Sequence, residues 1–245
     1  MLPAVADAVR AARSVVALTG AGISAESGVP TFRGEEGLWR SFRPEDLATA
    51  DAFARDPSLV WSWYRWRRQI IAGVRPNPGH VALARLEARL PRFTVLTQNV
   101  DGLHGLAGSV SVVKLHGNIW RARCTVEPGR IVDERPSDPS CSPDSHELPR
   151  CGCGALLRPD IVWFGETLDA KVLAQATEAV RTCDVLLIVG TSGLVYPVAA
   201  LPEAARHAGA TLVEINVART PLTVIMDHVL RGPAGVVLPA LDAAV

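Results

Sequence analysis

Short uncharged runs rich in Val, Ile and Leu recur along the chain, separated by stretches in which apolar residues return every three or four positions. The runs predict buried strands over 15–18, 93–96, 110–113, 185–189 and 212–215, with helical segments that include 83–89, 171–181 and 198–208. A strand that is apolar at every position is covered on both faces, so the alternation predicts an α/β fold with a parallel sheet between two layers of helices. Ligands on such sheets sit beyond the carboxyl ends of the strands. Polar and glycine-rich segments follow those ends here: Thr19-Gly-Ala-Gly22, Thr97-Gln-Asn-Val-Asp101, Lys114-Leu-His-Gly117, Gly190-Thr-Ser192 and Glu214-Ile-Asn216.

The first of these carries the clearest chemistry. Gly20, Gly22 and Ala25 fit the G-x-G-x-x-G/A turn that follows the opening strand of a Rossmann unit. Gly20 and Gly22 are expected to let the main chain approach a pyrophosphate that a Cβ would repel. An ordinary dinucleotide-binding unit would offer a second strand about 20 residues on, ending in an acidic residue for the ribose. The next convincing strand here starts at Phe93, so the plan is a modified Rossmann fold with a long helical interruption.

Two insertions break the alternation. Residues 34–78 are helical in pattern and bring Trp61, Trp63, Tyr64 and Trp66 close together, and residues 120–157 hold a cysteine cluster and a loop rich in Pro, Ser and Asp. The second is too small to bury a core alone. The expected organisation is one unit: a Rossmann-like domain from 1–33, 79–119 and 158–245, a helical insertion over 34–78, and a small cysteine-bearing module over 120–157.

Composition narrows the function classes. At 245 residues and 48% hydrophobic content the chain can build a sizeable core, and its net charge of zero leaves no electrostatic footprint for nucleic acid or a membrane surface. The uncharged run 185–202 approaches membrane-spanning length, but Gly190, Gly193, Pro197 and Pro202 divide it into strand, loop and helix. No export signal is apparent, and a cytoplasmic location is expected. Lys114 and Lys171 are the only lysines, which reads as compositional bias toward arginine. Four of the five cysteines fall between Cys124 and Cys153, which suits a metal site better than a disulfide framework.

Seven ordered blocks, Gly20-Ala-Gly-Ile-Ser24, Thr31-Phe-Arg33, Gln98-Asn-Val-Asp101, His116-Gly117, Ile161-Val-Trp-Phe-Gly-Glu166, Gly190-Thr-Ser192 and Glu214-Ile-Asn216, resemble the motifs of the sirtuin family of NAD-dependent protein lysine deacylases. The resemblance covers nearly the whole chain. It implies a modified Rossmann domain, a smaller domain of helical and zinc-ribbon-like insertions, and a cleft between them. It also implies NAD as co-substrate and acylated-lysine proteins or peptides as partners, with no nucleic acid, no membrane and a monomeric state.

The same resemblance assigns expected roles. His116 is the expected base that deprotonates a ribose hydroxyl, a task an imidazole performs near neutral pH. Asn99 and Asp101 would line the nicotinamide pocket, where an amide and a carboxylate can satisfy a carboxamide, and Asp101 can also cap the helix that follows it. Gly20, Ala21, Gly22, Ile23, Ser24, Thr31, Phe32, Arg33, Trp39, Gln98, Val100, Gly190, Thr191, Ser192, Asn216 and Ala234 would complete the cofactor site. His80 is read as structural. Val162, Phe164, Gly165 and Val195 resemble the two edges between which a substrate peptide is held as an added strand.

Cys151-Gly-Cys153 resembles the second half of the family's zinc module, whereas the usual C-x-x-C is incomplete, because Cys124 is followed by Thr-Val-Glu127. Cys141 is the expected fourth ligand, with Glu127 or His146 as substitutes, set against a loop without metal. Tyr64 and Arg67 stand three apart on one helix face. Among sirtuins this pair marks a preference for succinyl, malonyl or glutaryl lysine, since a carboxylate on the acyl tail can pair with Arg67 and accept from Tyr64. The alternatives left open are a plain deacetylase, a non-catalytic NAD sensor and a mono-ADP-ribosyltransferase.

Overall fold

In the computed structural model, residues 1–32, 37–38, 43–127, 129–133 and 147–245 are described. The expected Arg33, Trp39, Cys141 and His146 lie outside them.

Six parallel strands form the main sheet: β1 (Val15–Thr19), β2 (Phe93–Thr97), β3 (Val112–Lys114), β7 (Val185–Val189), β8 (Thr211–Asn216) and β9 (His228–Arg231). Their spatial order is β3-β2-β1-β7-β8-β9, the 3-2-1-4-5-6 order of a Rossmann sheet. Alternation along each strand sorts the core into two layers. Val15, Ala17, Val95, Leu187 and Val213 pack under α1 (Leu2–Ala11), α6 (Pro78–Arg89) and α10 (Ala234–Ala244). Val16, Leu18, Leu96, Leu186 and Leu212 pack under α8 (Ala170–Arg181) and α9 (Leu201–His207). Period-two placement on a sheet covered twice explains why these strands read as continuous apolar runs.

Two expected boundaries shift. The third strand starts at Val112, because Val110 is 89% exposed and its amide, with that of Ser111, is taken by the Glu87 carboxylate. Helix α6 starts at Pro78, where Asn77 caps the Gly79 amide and the His80 ring accepts from the Asn77 amide.

The crossover from β1 to β2 holds α2 (Ala21–Ala25), α3 (Pro44–Leu47), α4 (Ala50–Arg55) and α5 (Pro57–Ala72) before α6. Asp56 caps α5 by accepting from Leu59 N, and Pro57 opens it. A second, antiparallel sheet of order β5-β4-β6 comprises β4 (Gly117–Cys124), β5 (Ile131–Asp133) and β6 (Leu157–Ile161). Helix α5 and this sheet share one core, in which Trp61, Trp63, Tyr64, Ile119, Ala122, Leu157 and Trp163 are buried. Trp61 Nε1 donates to Leu157 O at 2.9 Å and Arg68 Nε to Ile119 O at 2.6 Å. The cysteine-bearing insertion thus solves its shortage of core by packing on the helical one. Among the described residues, no helix is long and apolar enough to cross a membrane.

Candidate active site

Four strand ends of the main sheet converge, and their side chains bond to one another. Gln98 Nε2 donates to Thr191 Oγ1 at 2.9 Å, Asn99 Nδ2 to Gly20 O at 3.0 Å, and Asn216 Nδ2 to Thr191 O at 3.0 Å. The short 103–106 turn, α7 (Leu103–Leu106), follows β2; Gly102 rather than Asp101 stands at its N-cap, and Asp101, one residue earlier, accepts from Leu103 N through Oδ1 at 2.9 Å.

The glycines also meet a packing requirement that the sequence did not signal. A Cβ on Gly20 would lie 2.8 Å from Gly190 O, and one on Gly22 would lie 2.7 Å from Gly190 Cα. Gly190 itself has φ +57°, and its added Cβ would stand 2.5 Å from Ile23 N. The loops after β1 and β7 therefore need glycine to pack against each other, whether or not a phosphate lies beyond them. The result is a backbone cradle at the carboxyl edge of the sheet, rimmed by Ala21, Ser24, Gln98, Thr191 and the half-buried Ser192. That donor set and those close-packed glycines fit a dinucleotide.

Behind the cradle lies a buried polar chain. Ser24 Oγ donates to Asp101 Oδ2 at 2.8 Å and receives Asn99 Nδ2 at 3.1 Å. His80 Nδ1 accepts from Asn77 N at 3.4 Å, so its proton sits on Nε2, 3.3 Å from Ser24 Oγ. The His80 ring meets that of His104 edge-on at 4.9 Å, and His104 Nε2 bonds Thr19 Oγ1 at 2.9 Å. Burial pushes His80 down to about 4 and His104 down to about 3, so both are neutral near pH 7. With its amide hydrogens directed at Gly20 O and Ser24 Oγ, Asn99 keeps its Oδ1 as an open acceptor among the described residues. His80 takes part in the cap of α6 and also meets Ser24 and His104 at the site, a link that its loop sequence Asn-Pro-Gly-His signals only as a helix cap.

His116 is half-buried just after β3, and its Nδ1 donates to Gln98 O at 3.2 Å, leaving Nε2 as the free lone pair. Burial lowers its pKa, and the Gln98 carbonyl opposes this only in part. Val162 N donates to His116 O at 3.0 Å, so the segment expected to hold peptide begins beside the imidazole. Phe164 is 42% exposed and its N–H is bound by Ala48 O, Gly165 has φ +84°, and Val195 is half-buried opposite an exposed Leu194.

The other expected positions divide. Ile23 and Val100 are buried, Ala25 is exposed at the end of α2, and Ala234 opens α10 with its carbonyl carbon 3.0 Å from where a Gly79 Cβ would be. Thr31 O accepts from Leu38 N at 2.9 Å, and Phe32 lies under the Arg67 guanidinium at 4.7 Å.

Tyr64 and Arg67 are both buried in α5, at 1% and 6% exposure. Tyr64 Oη accepts from Trp163 Nε1 at 2.8 Å, and among the described residues it has no acceptor for its own hydrogen. Burial pushes the phenol up to about 12, so it stays a donor. Arg67 rests on the rings of Phe32 and Trp63, the latter at 5.0 Å, and among the described residues no carboxylate pairs with it. Burial pulls its guanidinium below the ordinary value against the opposing fields of Tyr64 and Asp101.

Three of the expected zinc ligands meet. The sulfurs of Cys124, Cys151 and Cys153 lie within 4.8 Å of one another, with Cys124 and Cys153 at 3.6 Å. The Glu127 N–H donates to Cys124 Sγ at 3.4 Å and holds that thiol below its ordinary pKa. Three clustered thiols with an amide donor suit a tetrahedral structural zinc. Cys183 stands apart, buried, with its thiol pushed up to about 11.

The chain matches known proteins along almost its whole length. Residues 20–197 match the model of the Sir2 family. An NAD-dependent protein deacylase 2 from Pyrobaculum aerophilum is 53% identical over 238 residues, covering 97% of this chain and 93% of the relative. A crystal structure of a Sir2 homolog–NAD complex superposes with TM-score 0.90 at 44% identity, covering 98% of this chain and 92% of that one. A Sir2 structure bound to a myristoylated histone peptide superposes with TM-score 0.81 at 32% identity, over 99% and 95% of the two chains. With this coverage and the strand-end site intact, the chain belongs to the Sir2 family.

Proposed function

We propose that this chain is an NAD-dependent protein-lysine deacylase that favours acyl groups ending in a carboxylate, with free lysine, nicotinamide and O-acyl-ADP-ribose as products. Bound NAD supplies an electrophilic ribose carbon as nicotinamide departs. His116 Nε2 accepts a ribose hydroxyl proton, which the low pKa of the imidazole leaves it free to do at neutral pH. Asn99 Oδ1 is fixed as an acceptor for the carboxamide, and Asp101, held by Ser24 and the Leu103 amide, supports the cationic ring. The edges 162–165 and 193–195 suit an extended peptide, because backbone pairing holds many sequences. Cys124, Cys151 and Cys153 would hold zinc and brace the β4–β6 sheet, with Cys141 as the fourth ligand. A reducing, cytoplasmic setting suits those thiols.

The observation that carries the acyl preference is the pair of unspent donors on α5. Among the described residues the buried Arg67 guanidinium has no carboxylate partner, which costs several kcal/mol, and its two cation–π contacts, each worth about 2 kcal/mol when desolvated, offset that cost in part. A ligand carboxylate supplies the missing partner and also accepts from Tyr64.

The test is turnover of matched acetyl-, malonyl-, succinyl- and myristoyl-lysine peptides with NAD, read by mass spectrometry of O-acyl-ADP-ribose. Arg67→Met is expected to lower succinyl kcat/KM by about 30-fold or more and to leave acetyl turnover within a few-fold, on the scale of a lost charged hydrogen bond. Equal succinyl turnover in that variant removes the acidic-acyl reading, and absence of turnover with every peptide removes the deacylase.

A further inference from the structure

Trp163 follows β6 in the segment expected to hold substrate peptide, yet its side chain turns inward and is 3% exposed. Two ring contacts and one backbone bond hold Trp163 in place. The Arg158 guanidinium lies 3.4 Å from its ring centroid, the Phe53 ring stands 5.5 Å away at 39°, and its backbone N–H donates to Glu166 Oε2 at 2.9 Å. Glu166 in turn accepts from Arg158 Nη2 at 3.0 Å and Arg123 Nη2 at 3.4 Å. A carboxylate with two guanidinium partners, one of them stacked on the indole, braces the ring where it stands.

So placed, Nε1 donates to Tyr64 Oη at 2.8 Å in a site closed to water. An indole N–H can only donate, so the phenol cannot return its hydrogen to Trp163. The Tyr64 O–H must point elsewhere, and among the described residues it finds no acceptor. A cation on the indole face draws electron density from the ring and strengthens its N–H, and a phenol that accepts a hydrogen bond becomes a better donor.

We propose that Trp163 is a positioning residue for acyl selectivity: its indole N–H sets the polarity of the Tyr64 hydroxyl so that the phenol can only donate to an acyl carboxylate beside Arg67. This rests on the acidic-acyl reading above and adds to it a residue that does not touch the acyl group. It also joins the peptide-holding segment to the acyl pocket through one side chain.

Trp163→Phe keeps the ring and removes the donor. It is expected to lower the succinyl-to-acetyl ratio of kcat/KM about 5- to 20-fold, mainly through the succinyl KM. In a Tyr64→Phe background the same substitution should leave the succinyl-to-acetyl ratio unchanged, because the residue acts through the phenol. Equal losses on both substrates, or independent losses in the double variant, overturn the proposal. If Arg67→Met abolishes the preference while Trp163→Phe does not alter it, only this inference falls, and a wild-type protein without a succinyl preference removes both. A measurement that does not depend on that variant folding uses protein labelled with ¹⁵N-tryptophan. Tyr64→Phe should displace one indole N–H resonance, and succinyl peptide should shift that same resonance while acetyl peptide leaves it in place. An indole resonance indifferent to both overturns the proposal as well.

Discussion

Lowering the pH from 7 to 5 is expected to weaken the fold through the two imidazoles behind the cradle. His80 is held at about 4 and His104 at about 3, against about 6.5 in an unfolded chain. Between pH 6.5 and 5 the unfolded chain takes up a proton on each ring and the folded chain does not, so stability rises with pH across this window and is lost as the pH falls. Each ring contributes about 1.4 kcal/mol per pH unit, which makes the pair worth on the order of 4 kcal/mol by pH 5. That is a large share of the roughly 5–15 kcal/mol that holds a typical domain. His116, also lowered by burial, adds in the same direction. Urea unfolding at pH 7.5, 6.5, 5.5 and 5.0 measures the slope directly. His104→Gln removes one titrating ring and should reduce the slope by about a third or more. A flat unfolding free energy from pH 7 to 5, or a slope unaltered in His104→Gln, refutes the assignment of these rings as buried and neutral.

Three further outcomes follow from the site. The acid limb of the kcat/KM profile for NAD cleavage should have its midpoint below 6.5, set by His116, and His116→Ala should abolish nicotinamide release while NAD binding measured by calorimetry persists; retained turnover rejects its role as base. Gly190→Ala should destabilise the fold by about 2–4 kcal/mol in urea, since it combines a positive φ with a Cβ 2.5 Å from Ile23 N, whereas Gly105→Ala, with nothing within 4 Å, should be silent; equal effects refute the loop-packing explanation. Elemental analysis should find zinc in the purified protein, lost in Cys153→Ser and kept in Cys183→Ser, and zinc retained in the first variant removes that sulfur from the ligand set.

Much of this was legible because sheet strands buried on both faces leave a local signature, and β1, β7 and β8 lie where their apolar runs are. The edge of the sheet was not. β9 is four residues long and mostly half-exposed, so it carries no run, and α10 is apolar around most of its surface with Pro239 inside it, so it shows no clean helical period. The motifs drew attention to the strand ends that the sheet brings together, but they did not signal that the glycines also pack on each other, because the partner of Gly22 is Gly190, a contact between segments far apart in the chain. Trp163 and the His80–His104 pair escaped for the same reason: each owes its role to a partner supplied by tertiary packing.

The shared core of α5 and the β4–β6 sheet has a consequence for how the protein assembles and can be dissected. Its two contributors are separated in the chain by α6, β2 and β3, which belong to the large sheet or its cover, and by α7, whose Leu103 joins the shared core. Neither contributor can be excised as an autonomous fragment, and joining them requires closing a long loop whose entropy cost is met only after the large sheet has brought its ends together. Cys124 and Cys151 lie in that same core with Tyr64, so stripping the cysteine site should be felt at α5.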